Sequence, residues 1–550
     1  MNSLFRYIII MICFGIFIST LQSQTITKEN IENAEKIVGL EFSDEERDSM
    51  QTMLNDQFVN FENIRKVELK NSVPPSILFN PIPAGFKFPT DQKEIKFSDY
   101  SYSKLPEDRN ELAFFTIGDL AELIRTKQIS STELTKFFLE RLRKYDPVLH
   151  CVITITEERA LLQAELMDNE IAEGNYRGIL HGIPFGVKDL FDTKDYKTTW
   201  GSVPFKEQFI NEDATVIKKL EEAGAVLCAK LTMGELAWGD VWFGGMTRNP
   251  WDTTKGSSGS SAGSASAVSA GLIPFAIGTE TWGSIVSPST VCGTTGLRPT
   301  YGRVSRTGAM ALGWSMDKIG PICRSVEDLA IVFNIIHGPD GNDQTLYDAP
   351  FNYKPEIDFS KLKIGYLKND FDKQYDFHSQ DSAALVKLRE LGAELIPIEL
   401  PQLPINDLSI ILSAEAGAAF DELTRNGEDD LLIRQIKDAW PNVFRASRFI
   451  PAVEYINANR IRYLAIQQME KLMSEFDLYV APSWEGDNLL LTNLTGHPCV
   501  VLPNGFSEVG TPTSITFIGR LFDEGRLLAF AKKYQDATEF HKKHPENFKK

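Results

Sequence analysis

The sequence predicts an α/β protein built around a mostly parallel sheet. From residue 112 onward, stretches of helical periodicity alternate with short apolar runs such as "CVITIT", "GIPFGVKD" and "DLYVAP". A Gly/Ser stretch at 256–271, "GSSGSSAGSASAVSAG", has the composition of a linker, yet it lies between the aromatic-rich segments "DVWFGGMTRNPWD" and "LIPFAIGTETWGS". A linker belongs at a composition shift, so this one reads as a tight loop feeding a small-residue helix inside the folded core. The chain of 550 residues is long enough for a large core, and its 43% hydrophobic and 24% charged content is that of a folded globular protein.

Residues 1–23 read as a signal peptide. One basic residue, Arg6, precedes an apolar run from Tyr7 to Ile18, and small and polar residues follow. The run is short for a membrane span and suits a secretory signal cleaved after Ser23; an uncleaved anchor is the alternative. No second long apolar run follows. The expected product is exported, periplasmic or secreted, with no stable membrane span in the mature chain.

Residues 24–110 read as a helical N-terminal arm. Ser43 and Glu46 stand in capping-box spacing, and Met50, Leu54, Phe58, Phe61 and Val67 fall on or near one helical face. The following "NSVPPSILFNPIPAGFKFPTDQ" is Pro-rich and irregular. Thr116 with Asp119, and Ser130 with Glu133, mark two further helix starts. Then come the strand "CVITIT", a helix to about residue 173, the buried strand "GIPFGVKD", and a helix, Gly stop and strand in "ATVIKKLEEAGAVLCAKL". Towards the C-terminus "FSKLKIGYL" and "DLYVAP" read as strands and "SAALVKLRELGAELI" as helix then strand. Residues 400–470 are helix-rich, within a region around 340–480 that holds no recognisable motif and is expected to shape a pocket.

A net charge of −18 argues against nucleic acid as the main partner. Of the six cysteines, Cys13 leaves with the signal. Cys151, Cys228, Cys292, Cys323 and Cys499 show neither a disulfide framework nor metal-ligand spacing and read mainly as small buried hydrophobes. Neither a metal nor a cofactor is expected.

Three segments hold the unusual residues: "HGIPFGVKD" (181–189), the Gly/Ser stretch, and "GTETWGSIVSPSTVCGTTGLRPT" (278–300). Together they resemble the amidase signature family, which is marked by GSSGGSA, then GTDTGGSIRxPA leading to CG-x-x-GLKPT, with GIPxxVKD upstream. "AGAVLCAKLTMGELAWG", "NPWD" and "NLTGHPCVVLPNGF" match as well, and the resemblance spans roughly residues 115–540. It implies a catalytic domain over 111–545 with a central twisted mixed sheet covered by helices on both faces. It also implies an amide hydrolase with a Ser–cis-Ser–Lys triad: Ser284 as nucleophile, Ser260 as the bridging serine with a cis peptide bond, and Lys188 as base. The oxyanion hole implied is the backbone N–H groups of Thr281, Trp282, Gly283 and Ser284.

The chemistry is sound independently of the resemblance. A serine hydroxyl needs a base, and a buried lysine can be neutral enough to serve as one. Taken singly, each residue has a plainer reading: Lys188 as a solvated strand end, Ser260 and Ser284 as turn or cap residues, as Ser257, Ser258, Ser261 and Ser264 are expected to be. "GSSAG" also fits G-x-S-x-G around Ser261, but that motif needs a strand immediately before it, and "RNPWDTTKG" looks turn-like.

The sequence departs from the family at Trp282 (usually Gly), Val286 (often Arg) and Ser258 (usually Gly). If the family's glycine serves positive φ, Trp282 is strained; if it only limits bulk, Trp282 walls the pocket. The expected partner is a small-molecule amide, with a homodimer left open. Esterase or peptide amidase activity on the same triad, and a non-catalytic binding protein on this fold, are the alternatives. The family's tRNA-dependent amidotransferase branch fits poorly with an export signal and an acidic chain.

Overall fold

The computed structural model describes residues 25–550. The signal segment and its cleavage site lie outside the described residues. The chain divides into two compact units, residues up to Lys70 with Phe449–Pro451, and Asn71–Arg448 with Ala452–Lys550.

In the first unit, α1 (Lys28–Val38) and α2 (Asp44–Arg65) each start at a capping box, Thr27 with Asn30 and Ser43 with Glu46. The Arg47 guanidinium ties the helices together through a two-pronged bond to Glu35, at 2.9 and 2.8 Å. The expected apolar face of α2 is only partly covered. Met50, Leu54 and Phe58 are half-buried, Phe61 and Val67 are exposed, and no residue of α2 is fully buried. Two short helices enclose too little volume to bury a whole face.

The second unit begins with 71–108, which runs without helix or strand as its proline content dictates. Then α3 (Ile117–Arg125) and α4 (Ser131–Leu149) start at the Thr116–Asp119 and Ser130–Glu133 boxes. Strand β1 (Val152–Ile155) leads to α5 (Glu157–Ala172), β2 (Pro184–Lys188), α6 (Thr215–Glu222) and β3 (Val226–Leu231). After a short antiparallel pair, Arg248–Asn249 against Asp252–Gly256, come α7 (Ala262–Ser269), β4 (Phe275–Glu280), α8 (Val286–Cys292), β5 (Thr295–Arg298) and β6 (Lys318–Cys323). The sheet is completed by β7 (Ile364–Tyr366), β8 (Leu395–Pro397), β9 (Leu478–Pro482), β10 (Cys499–Phe506) and β11 (Pro512–Gly519).

These strands form one eleven-stranded sheet in the order β1-β3-β2-β4-β6-β5-β10-β11-β9-β7-β8. It is mixed. Strand β2 runs parallel to β3 and β4, and β7 runs parallel to β8 and β9, while the other neighbours are antiparallel. This corrects the mostly parallel sheet expected from helix–strand alternation. A parallel return needs a dozen or more residues, and the turn at 507–511 between β10 and β11 is too short for one.

The Gly/Ser stretch is core, as its flanks required. Every residue of α7 is buried. A side chain at Gly263 would place its Cβ 2.3 Å from the Cys151 carbonyl oxygen and 2.5 Å from the Thr232 nitrogen, so only glycine lets the helix approach the sheet this closely. Strands β2 and β4 are likewise fully buried. The five cysteines among the described residues are buried, unpaired thiols. No helix of the described residues is long and apolar enough to cross a membrane.

Candidate active site

Parallel strands that are neighbours in a sheet deliver their C-terminal ends to the same edge. In the β2–β4 pair, Val187 stands opposite Ile277, so Lys188 and Thr279 emerge together. Lys188 is fully buried, with its Nζ 2.9 Å from Thr279 Oγ1 and 2.7 Å from Ser260 Oγ. Ser260 Oγ lies 2.8 Å from Ser284 Oγ. The Gly259–Ser260 peptide bond is cis. Ser284 retains 8% exposure, so the far end of this hydrogen-bonded chain meets solvent while the amine does not.

Burial pushes the Lys188 ammonium down to about 7, against the pull of the Asp317 and Glu280 charges, which favour the proton. A lysine in that range is substantially neutral near neutral pH. As a free amine it can donate to Thr279 and accept from Ser260 at once.

The turn entering Ser284 is held by two carboxylates. Glu280, at the end of β4, is fully buried, and its Oε2 accepts the N–H groups of Ile285 and Val286 at 2.8 and 2.9 Å. Its Oε1 accepts from Arg298 Nη1 at 2.8 Å and Asn493 Nδ2 at 2.9 Å. Burial pushes the Glu280 carboxyl up, but Arg298 and the Val286 N–H outweigh it and hold the group below the ordinary carboxylate range. Asp317 accepts the Thr281 hydroxyl at 2.5 Å through one oxygen, and the Leu312 and Gly313 N–H groups through the other. Between these anchors, the backbone N–H groups of Thr281, Trp282, Gly283 and Ser284 have no acceptor among the described residues. Such unpaired donors beside a serine hydroxyl are what an oxyanion hole requires.

The sequence departures resolve into different roles. Gly283 takes the positive φ of the turn, +85°, and Trp282 is not among the residues of positive φ. The strain falls instead on Ser258, at φ +57°. Its N–H donates to Asp240 Oδ2 at 3.1 Å and its hydroxyl pairs with that of Ser287. Val286 is buried against Cys499 and Val501, and the cation that meets Glu280 comes from Arg298 on β5.

The other serines are structural, as read. Ser261 Oγ donates to the Thr279 carbonyl at 3.1 Å and accepts its N–H at 3.2 Å, and Ser264 Oγ donates to the Ile277 carbonyl at 3.2 Å. The "RNPWDTTKG" segment is a short strand pair rather than a turn alone, but residues 257–260 separate it from Ser261, which is no elbow nucleophile. Sequence reading passed over Thr279, Glu280, Arg298, Asn493 and Asp317. A charged residue closing the buried run "FAIGTE" was the one available signal. The motif-free region also reaches the site: the Ile433 N–H donates to Glu235 Oε2 at 2.7 Å, and Arg434 donates to Asp240 at 3.3 Å.

This architecture defines a class, α/β hydrolytic enzymes whose buried lysine addresses a serine pair. A family model described as Amidase matches residues 133–487, and the chain belongs to the amidase family. It is 34% identical over 479 residues to a glutamyl-tRNA(Gln) amidotransferase subunit of Coxiella burnetii (strain RSA 493 / Nine Mile phase I), covering 78% of this chain and 99% of that relative. Identity to the protein of the same name from Methylococcus capsulatus is 34% over 478 residues, covering 78% and 98%. Among solved structures, native peptide amidase from Stenotrophomonas maltophilia is similar with a TM-score of 0.71 at 28% identity, over 78% of this chain and 98% of that one. The protein is an amide hydrolase, acting on a carbon–nitrogen bond.

Proposed function

We propose that the protein is an exported amidase that cleaves a small-molecule amide through an acyl-enzyme on Ser284. The observation that carries this reading is the unbroken chain from Lys188 through Ser260 to Ser284, at 2.7 and 2.8 Å, ending on a buried amine. Ser284 Oγ adds to the amide carbon while its proton passes to Ser260 and the Ser260 proton passes to Lys188. The carbonyl oxygen becomes an oxyanion facing the N–H groups of the 281–284 turn. The Lys188 proton then returns through Ser260 to the amide nitrogen, the C–N bond breaks, and the amine leaves. Water enters by the same relay and releases the carboxylic acid. An ester would follow the same steps with an alcohol leaving.

Export rests on the leader, with Arg6 ahead of the Tyr7–Ile18 run. A second reading, favoured by the 34% identity to amidotransferase subunits, is a glutamine amidase working beside partner subunits on tRNA. The net charge of −18 and the leader weigh against it.

The test is labelling of the purified protein with a fluorophosphonate, peptide mass spectrometry to locate the adduct, and an amide-hydrolysis assay before and after. We expect one adduct, on Ser284, with loss of amide turnover. An adduct on Ser261, or turnover that survives complete labelling of Ser284, would overturn the mechanism. Co-purification of the native protein with tRNA and partner subunits would favour the second reading.

A further inference from the structure

We propose that Trp282 is a specificity-determining residue whose indole takes a flat aromatic group attached beside the scissile carbonyl, so that aryl or aralkyl amides are preferred over alkyl amides of equal size. This rests on Ser284 being the nucleophile. The observation is one of contrast. From Leu272 to Val286 every residue is buried except Trp282, whose exposure is 43%. The whole segment that carries the nucleophile is sealed into the core, and its largest side chain alone is turned out.

Backbone demands do not explain the residue. Gly283, not Trp282, bears the left-handed conformation of the turn. Packing does not explain it either, because among the described residues the indole has no hydrogen-bond or ring partner. Its position does suggest a use. It stands two residues before Ser284, within the run of unpaired N–H groups that would receive the substrate oxygen. A carbonyl held there places its substituents within reach of residue 282.

The lining continues apolar. Leu489 packs against the Gly283 position and against buried Val286, where many family members carry arginine. The one nearby carboxylate, Glu280, is closed off behind the turn by Arg298, Asn493 and two N–H groups. An exposed indole in apolar surroundings favours a flat, uncharged partner, and aromatic pairs gain beyond their area through offset or edge-on stacking.

The experiment compares two fluorophosphonates of equal length, one phenyl-bearing and one alkyl, reacting with the full protein, Trp282→Gly and Trp282→Phe. Both probes transfer phosphorus to Ser284 Oγ with loss of fluoride, so the aryl-to-alkyl ratio of second-order rates reads the contact. Disturbance of the turn slows both probes alike and cancels in that ratio. We expect the ratio to fall about 10-fold in Trp282→Gly and to stay within about 3-fold of the parent in Trp282→Phe. A ratio in Trp282→Gly that is unchanged, or that rises because the indole merely blocks the cleft, overturns the inference while leaving the Ser284 reading intact. Labelling away from Ser284, or none with either probe in any variant, overturns the nucleophile assignment and the inference with it.

Discussion

If Lys188 is the base, the reactivity of Ser284 follows the fraction of neutral amine, and that fraction is set by burial. With the ammonium pushed down to about 7, rather than its ordinary 10.5, half of the molecules carry a free amine near pH 7. A lysine with its ordinary value would be neutral in only about 0.03% of molecules there, so burial makes the base about 10³-fold more available. The sign is fixed: the amine loses its proton as pH rises, so the rate rises with pH and levels off above about pH 8. From about pH 9 to about pH 5 it should fall about 100-fold. The assay is the rate of Ser284 labelling by one fluorophosphonate across that range, on parent protein, Lys188→Met and Asp317→Asn. Lys188→Met should lose the limb altogether and label at least about 100-fold more slowly at neutral pH. Asp317→Asn removes a negative charge that favours the proton, so its midpoint should move to lower pH. A midpoint above about pH 9, or a limb that survives in Lys188→Met, would refute the argument, because the titrating group would then not be a desolvated Lys188.

Three further outcomes are expected. Glu280→Gln leaves Arg298 buried without its countercharge and weakens the bonds to the Ile285 and Val286 N–H groups, so it should destabilise by about 3–5 kcal/mol, read as a lowered melting temperature with reduced amide turnover. Ser258→Gly relieves a left-handed serine, a gain of about 1–2 kcal/mol, and loses the bond to Ser287, a cost of about 1 kcal/mol, so its melting temperature should stay near the parent's. Ser258→Ala keeps the conformation, loses the bond and should fall below both. Subtilisin digestion of the native protein should leave 257–271 uncut and cleave within the exposed stretch around Lys66–Lys70, since the Gly/Ser stretch is core; early cleavage at 257–271 would restore the linker reading.

Local features of the fold were readable because local residues cause them. The boxes at Ser43, Thr116 and Ser130 begin helices where capping chemistry places them, and the small residues of 262–269 fold against the sheet because nothing larger fits beside Cys151 and Thr232. Strand direction was not readable in the same way. Alternation of helix and strand says where elements lie but not which way the chain returns, and β4, β6 and β5 return antiparallel.

The site divides along the same line. Lys188, Ser260 and Ser284 could be picked out because each sits in a short segment of unusual composition. Their proximity depends on β2 and β4 being neighbours in register, which brings Lys188 to a threonine 91 residues away. No spacing rule reports that, so Thr279 was passed over. Glu280 was passed over for a related reason, since the residues that neutralise it, Arg298 and Asn493, come from β5 and from the helix Asn488–Thr495. The departures were legible as departures but not as roles. An Arg missing at Val286 suggested a lost ion pair, whereas Glu280 finds its cation on a neighbouring strand. A Trp in place of Gly suggested strain, whereas the turn assigns its positive φ one residue later and leaves the indole free to meet substrate.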